Sequence, residues 1–279
     1  MTIVKAKSTW MLAGLFALAT ATVACAGTIG QEGHAGDENN GGGGGNDNGD
    51  NGDSDVEVPR PVSGMALNWA DDTPIPGAMI EIPELEFSGL SAADGSFATT
   101  PFLSGKVFSL STTATNYRAT INPKHITVEE AISVNAFVVS SGEDLRQTTA
   151  AGVTRVVGAS VIVAELLDTD GSPRIDVPLI NIGLVNRDDQ PVGDGPFFLG
   201  ADSLVDLGIE LSSAVDGKAR AIFLNVPNGM LKLSVSYPNP ADPAAPGEPM
   251  IHELMMTTNS AALVRVNDKA IIDNAIDNN

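Results

Sequence analysis

The sequence predicts a mainly β protein: an antiparallel β-sandwich, built as two tandem sandwiches behind a disordered Gly/Asn/Asp tether. Three observations predict it. From residue 59 on, Val, Ile, Thr and Ser recur in period-2 alternation, the signature of half-buried strands. Turn dipeptides such as Asp94-Gly95 and Asp216-Gly217 punctuate these runs, as they do in sandwiches of short strands. Ahead of them, residues 27–56 contain scarcely an apolar side chain and cannot bury enough surface to offset their ordering entropy.

The first element, residues 1–24, reads as an export signal. Lys5 and Lys7 precede an apolar stretch from Trp10 to Ala24. That stretch is shorter than the roughly 20 residues a membrane-crossing helix needs and matches a signal h-region. Cys25, the only cysteine of the chain, ends it. A lone thiol has no intrachain disulfide partner, and its position favours acylation. Thr22-Val23-Ala24-Cys25 resembles the processing site of bacterial lipoprotein precursors, whose pattern is Leu, two small residues and the modified Cys; Thr22 stands where that family has Leu. The resemblance implies loss of residues 1–24, fatty acylation of Cys25 with palmitate-like chains, and a lipid-anchored place in the bacterial envelope. Ala26 stands where retention signals of that family often contain Asp, so the resemblance implies the outer membrane. Two other fates stay open. Ala24-Cys25-Ala26 is also a small-x-small site whose cleavage would release a soluble protein from near Gly27, and the leader could persist as an anchor, although Gly14, Thr20 and Thr22 dilute it.

Residues 25–58 form the expected tether. Gly41 to Gly45 is an unbroken glycine run, and seven acids from Glu32 to Asp55 meet no Lys or Arg before Arg60. A Gly-rich coil of this length spans on the order of 30 Å, and like-charge repulsion extends it. The whole chain carries a formal charge of −20, which repels phosphate backbones and anionic headgroups and so argues against nucleic-acid binding. With the cysteine committed to the anchor, packing alone must hold the body together.

Residues 59–124 supply the first sandwich. Val62 to Leu67 reads as a strand, and Gly77 to Ile82 places Ala78, Ile80 and Ile82 on one face. Asp94-Gly95 is a hairpin signal before a strand through Phe97 and Thr99. Val107 to Thr112 turns Phe108 and Leu110 inward, and Tyr117 to Ile121 follows another turn. Val62-Ser63-Gly64, Pro74-Ile75-Pro76-Gly77-Ala78, Asp94-Gly95-Ser96-Phe97, Gly105 and Asn116-Tyr117 occur in the order in which the carboxypeptidase regulatory-like, transthyretin-like β-sandwich family has Val-x-Gly, Pro-x-x-Gly-Ala, Asp-Gly-x-aromatic, Gly and Gly-Tyr. The chain resembles that family over about residues 60–122. The resemblance implies an Ig/transthyretin-like sandwich without catalytic residues, and it asks Asn116, standing for glycine, to take the left-handed conformation.

Residues 125–156 read as a bridge. Ile132 to Val139 is a strand, then Ser140 and Glu143 form a capping box and Gly152 stops a short helix. The helix has a weakly apolar face, which predicts a surface position. Residues 157–268 repeat the theme: Val161 to Leu167, an inward row of Ile180, Ile182 and Leu184, Asp216-Gly217, Gly229, then Leu231, Leu233 and Val235, closed by Tyr237. Longer loops are expected from Asn186 to Asp202 and from Pro238 to Pro249. One continuous larger sandwich is the alternative. Residues 269–279 are a tail.

The sequence offers little catalytic chemistry: no nucleophile elbow, phosphate loop or dinucleotide fingerprint occurs. Of three histidines, His34 falls in the tether, leaving His125 and His252. His252-Glu253 opens like a zincin helix, but Met256 holds the second ligand position; as a strand the segment puts Met250, His252 and Met256 on one face, either a soft-metal patch or a packed sandwich face with a hydrogen-bonded His. Asp168 and Asp170 begin a calcium-like loop that Ser172 and Pro173 break, so a solvated turn competes with a weak calcium site. Phe197 and Phe198 are adjacent in a strand and cannot both face one core; they are a candidate contact surface or a plug at a sandwich end. Trp69 is the only tryptophan beyond the leader, which argues against a sugar-stacking platform.

These readings predict a non-catalytic, lipid-anchored envelope protein that displays binding or structural modules, without a cofactor, held to the membrane through its lipid and meeting a protein or glycan partner. A carbohydrate- or calcium-dependent binding module is the second reading. A hydrolase is the third, requiring a pocket that sets His125 or His252 beside a carboxylate or hydroxyl.

Overall fold

The computed structural model describes residues 59–126, 132–239 and 242–267. The leader, Cys25, the tether and the tail lie outside the described residues.

The first half contributes β1 (Val62–Asn68), β2 (Met79–Ile82), β3 (Phe87–Leu90), β4 (Ser96–Ala98), β5 (Val107–Thr113) and β6 (Thr120–Ile126). Two short strands follow, β7 (Ile132–Ser133) and β8 (Ala136–Val138), then the helix α1 (Ser141–Ala150). The second half contributes β9 (Ser160–Leu166), β10 (Ile182–Asn186), β11 (Asp194–Phe198), β12 (Ala219–Val226), β13 (Gly229–Val235), β14 (Pro238–Asn239), β15 (Asp242–Pro246), β16 (Met250–Met256) and β17 (Ala261–Val266).

An eight-stranded sheet in the order β11-β12-β9-β17-β6-β5-β2-β3 runs through strands of both expected sandwiches. A three-stranded sheet, β10-β13-β16, covers one face, and a sheet built on β1 with β4, β7 and β8 covers part of the other. Each contact encloses its own core. Ile162, Ala164 and Leu166 of β9 join Phe223, Val264, Leu231, Leu233 and Met250 in the first. Val161 and Val163, on the opposite face, join Trp69, Phe137, Ile222 and Leu263 in the second. Ile80, Ile82, Phe108, Leu110 and Phe97 fill the third beneath β1. Every residue of β9 is therefore buried, although alternation along Val161 to Leu167 predicts a strand with only one buried face. On β5, by contrast, just Phe108, Leu110 and Thr112 are buried, because the three-stranded sheet stops short of it.

Most ladders are antiparallel, but β17 lies parallel to both β6 and β9, and β1 is parallel to β7 and β8. The chain reaches these pairings by crossing between sheets: β16 and β17 are consecutive yet belong to different layers. The Asp94-Gly95 turn does the same. Ala92 N–H donates to Ser96 O at 2.7 Å and Gly95 takes φ +84°, but β3 and β4 pair with different partners, so the expected hairpin signal is a corner between sheets. Asn116 has φ +70°, the left-handed conformation asked of it. Gly64 serves close approach instead: a Cβ there would lie 1.5 Å from the Val134 carbonyl oxygen.

Two expectations are corrected. Ile180 is 92% exposed, because Leu179–Asn181 forms a 3-10 turn that leaves only Ile182 and Leu184 on the inward face. The loop expected from Asn186 to Asp202 contains β11. The helix α1 has the exposed outer side expected of a surface helix, but it meets the body through its polar side. Ser140 caps it as predicted, accepting from Glu143 N–H at 3.0 Å, yet Glu143, Asp144, Gln147 and Thr148 are buried while Leu145 is 53% exposed. Asp144 pairs with Arg118 at 2.5 Å and Arg155 at 3.1 Å. Gln147 donates to Ser203 O and accepts from Val205 N–H, both at 2.8 Å. A fully hydrogen-bonded polar face can be buried at little net cost.

Candidate functional site

Where the three-stranded sheet ends, the eight-stranded sheet beneath it continues. The step between them is a cleft of about 330 Å³. Its upper wall is the edge strand β16, through Glu253, Leu254, Met255 and Met256; its floor is Val107, Phe108 and Ser109 of β5, Ile121 and Pro123 of β6, and Ala262 of β17. The local reason is alternation. Phe108 and Leu110 of β5 feed the third core, and on β6 Asn122 donates to Phe137 O while Thr120 Oγ accepts from Val139 N–H, which leaves Val107, Ser109, Ile121 and Pro123 half-buried on the side facing β16. Glu84 stands exposed at the rim and accepts from Ser109 Oγ at 2.9 Å. The wall is mostly hydrocarbon with carboxylates at its border, a surface suited to an apolar segment carrying positive charge.

β16 follows the strand reading of the His252-Glu253 segment. Met250, His252, Leu254 and Met256 are buried, and Ile251, Glu253 and Met255 point outward. His252 thus stands between methionines on the inner face of a sandwich. His125, on β6, lies 5.4 Å from the Phe108 ring, centroid to centroid. Burial, and secondarily the positive charge of Arg265, push its pKa down to about 4, so the imidazole is neutral at pH 7. Neither histidine belongs to the lining of the cleft.

Asp168 and Asp170 share a tight turn. Asp168 is paired with Arg174 at 2.5 Å. Asp170 accepts from Ser172 N–H at 2.9 Å; hydrogen bonds from Ser172 lower its pKa. Among the described residues, no three His, Cys, Asp or Glu side chains are grouped as metal ligands. Phe197 and Phe198 divide between the two faces of β11. Phe198 is buried in the first core and Phe197 packs at the border of the second. The pair plugs two cores rather than one. Trp69 is also buried, with the Arg220 guanidinium 5.0 Å from its ring and donating to its carbonyl at 2.5 Å.

The cleft residues Glu84, Val107, Ile121 and Met255 were not candidates on sequence grounds. Alternation marks which side of a strand is apolar. It does not mark where one sheet ends above another.

Among the described residues no helix is long and apolar enough to cross a membrane. No family model matches the chain, and no curated protein matches it. Structural comparison finds similarity to the Bacillus anthracis TIE protein (12% identity, 75% of this chain and 34% of that one, TM-score 0.26). It also finds GBS52, the minor pilin of Streptococcus agalactiae (10% identity, 75% and 94%, TM-score 0.21), and BcpA, the major pilin subunit of Bacillus cereus (7% identity, 75% and 99%, TM-score 0.26). The chain spans about a third of the TIE protein. At these TM-scores the similarities carry no argument about family or activity; the body is a mainly β sandwich protein on its own geometry.

Proposed function

We propose that the chain is a non-catalytic, lipid-anchored protein of the bacterial envelope whose β-sandwich body is displayed on an acidic tether as a binding or structural surface. The observation that carries this reading is the position of Cys25, between an apolar leader with a basic start and a run of glycine, asparagine and aspartate. One acyl chain holds a protein to a bilayer only marginally; several hold it stably, and the processing that the leader resembles supplies several. The geometry of the body supports the non-catalytic half. His125 stacks on Phe108 and His252 lies among methionines, while the cleft offers hydrocarbon and strand edge.

The test is direct. Cys25→Ser abolishes metabolic fatty-acid labelling and moves the protein from the membrane pellet to the soluble fraction. Mass spectrometry of the native protein finds residue 25 as the modified amino terminus. An unmodified terminus beyond Cys25 refutes the anchor.

A further inference from the structure

We infer that the cleft beside β16 is a groove for an extended peptide segment with a central Lys or Arg flanked by apolar residues, which adds to the open edge of β16 as a fourth strand of the three-stranded sheet. This rests on the display reading above and names the chemistry of the partner.

Sheet edges decide the place. At one end of the eight-stranded sheet β3 has four residues, and at the other β11 contains Pro196, which has no N–H to donate. The free side of β10 is occupied: Val192 N–H donates to Leu184 O at 3.1 Å, and Val185 bridges Pro191. The strand β16 has seven residues, no proline or glycine, and among the described residues pairs with β13 alone. Natural sheets shorten, cover or interrupt their edges to prevent strand addition; this edge carries only one charge, Glu253. A strand laid against it would turn alternate side chains down onto Val107, Ile121, Pro123 and Met256. Methionine adapts its shape to such a guest.

Charge decides the occupant. Outward along β16 stand Ile251, Glu253 and Met255, with Glu253 at the centre. Antiparallel addition of a second copy centred on that strand would set two Glu253 carboxylates opposite each other, which is unfavourable. Lys232, the neighbour of Glu253 on β13, already pairs with Asp189 at 3.3 Å. Glu84 adds a second carboxylate at the rim. The complementary strand therefore places a cation opposite Glu253 and apolar residues opposite Ile251 and Met255. Main-chain hydrogen bonds supply affinity and the alternating side chains supply selectivity.

The probe is a fluorescein-labelled heptapeptide, Thr-Val-Val-Lys-Val-Val-Thr, titrated with purified full-length protein and followed by anisotropy. Saturable binding is expected below about 1 mM, with protection from hydrogen exchange confined to the β16 amides. Replacing the central Lys by Glu weakens binding on the order of fivefold, and Glu253→Lys reverses that preference. Glu253 is exposed, so the variant keeps its fold, checked by its melting temperature. The inference falls if binding does not saturate, if both peptides bind both proteins equally, if protection appears elsewhere, or if the protein dimerises through β16 without peptide. Fatty-acid labelling at Cys25 in the same preparation reports on the display reading separately.

Discussion

At the scale of single residues, function and stability separate at His125. Its folded pKa, about 4 against an ordinary value of 6.5, is set by burial against Phe108 and by Arg265. A base whose folded pKa is depressed contributes stability that is complete above its unfolded pKa. As pH falls through 6.5 the unfolded chain takes up the proton first, and stability is lost until about pH 4, where both states are protonated. The loss amounts to at most about 3 kcal/mol. His125→Phe is expected to lack this component: in urea titrations, its stability relative to the parent rises as pH is lowered from 7 to 4. Asp94 and Asp170, whose pKa values their neighbouring serines lower, are common to both proteins and cancel. A difference independent of pH would show that the imidazole is not held neutral. Local residue signals were legible in advance where chemistry is local. Asn116, standing where the resembled pattern has glycine, takes the left-handed backbone expected of it, and Ser140 caps the helix start that its spacing to Glu143 marks. The burial of His125 was not legible, since it depends on strands remote from each other in sequence.

At the scale of elements, α1 shows what patterning alone leaves out: which side of a surface helix meets the body. A helix with few apolar residues is normally a solvent-facing one. Here Asp144 reaches Arg118, which itself donates to Ala159 O at 2.8 Å, and Gln147 fills the backbone gaps of the loop at Ser203 and Val205. None of these partners lies near α1 in sequence: Arg118 is 26 residues from Asp144, and Ser203 and Val205 are 56 and 58 residues from Gln147. The prediction is asymmetric. Asp144→Ala leaves the buried Arg118 charge uncompensated and costs about 3–5 kcal/mol, measured by urea unfolding. Arg118→Met together with Asp144→Leu removes both charges and recovers most of that loss. Equal damage from the single and double variants would mean that the pair matters for packing and not for charge. The strands were read more reliably than the helix. Ala78, Ile80 and Ile82, or Leu231, Leu233 and Val235, alternate because one side of each strand meets a core. Ile180 broke its row because Pro178 enters a 3-10 turn there. Phe197 and Phe198 could be seen to need two different environments, but not that a core waited on each side of their sheet.

At the scale of the whole molecule, the eight-stranded sheet joins the halves. β6 pairs with β17 through Thr120 and Ala261, and β17 continues to β9. Calorimetry is expected to give one cooperative transition for the body, since opening either sandwich exposes a strand shared with the other. Two resolved transitions would mean that the β6–β17 seam is weak enough for independent halves. The same shared sheet creates the cleft: one covering sheet is three strands wide and the sheet below it eight, so a step must remain at β16.

The order of residues along the chain was enough to determine the acidic, Gly/Asn/Asp-rich composition ahead of the body, the single cysteine at position 25, which rules out an intrachain disulfide, and the strand character of most of the body. These depend on composition and on contacts between near neighbours, which a linear pattern records. Tertiary structure alone decided that β9 is buried on both faces, that a polar helix face is interior, and that β16, among the described residues, is the edge strand above Val107 and Ile121. Each of those facts is a relation between strands far apart in the chain, and hydrophobic alternation is the same whether the covering layer is present or missing.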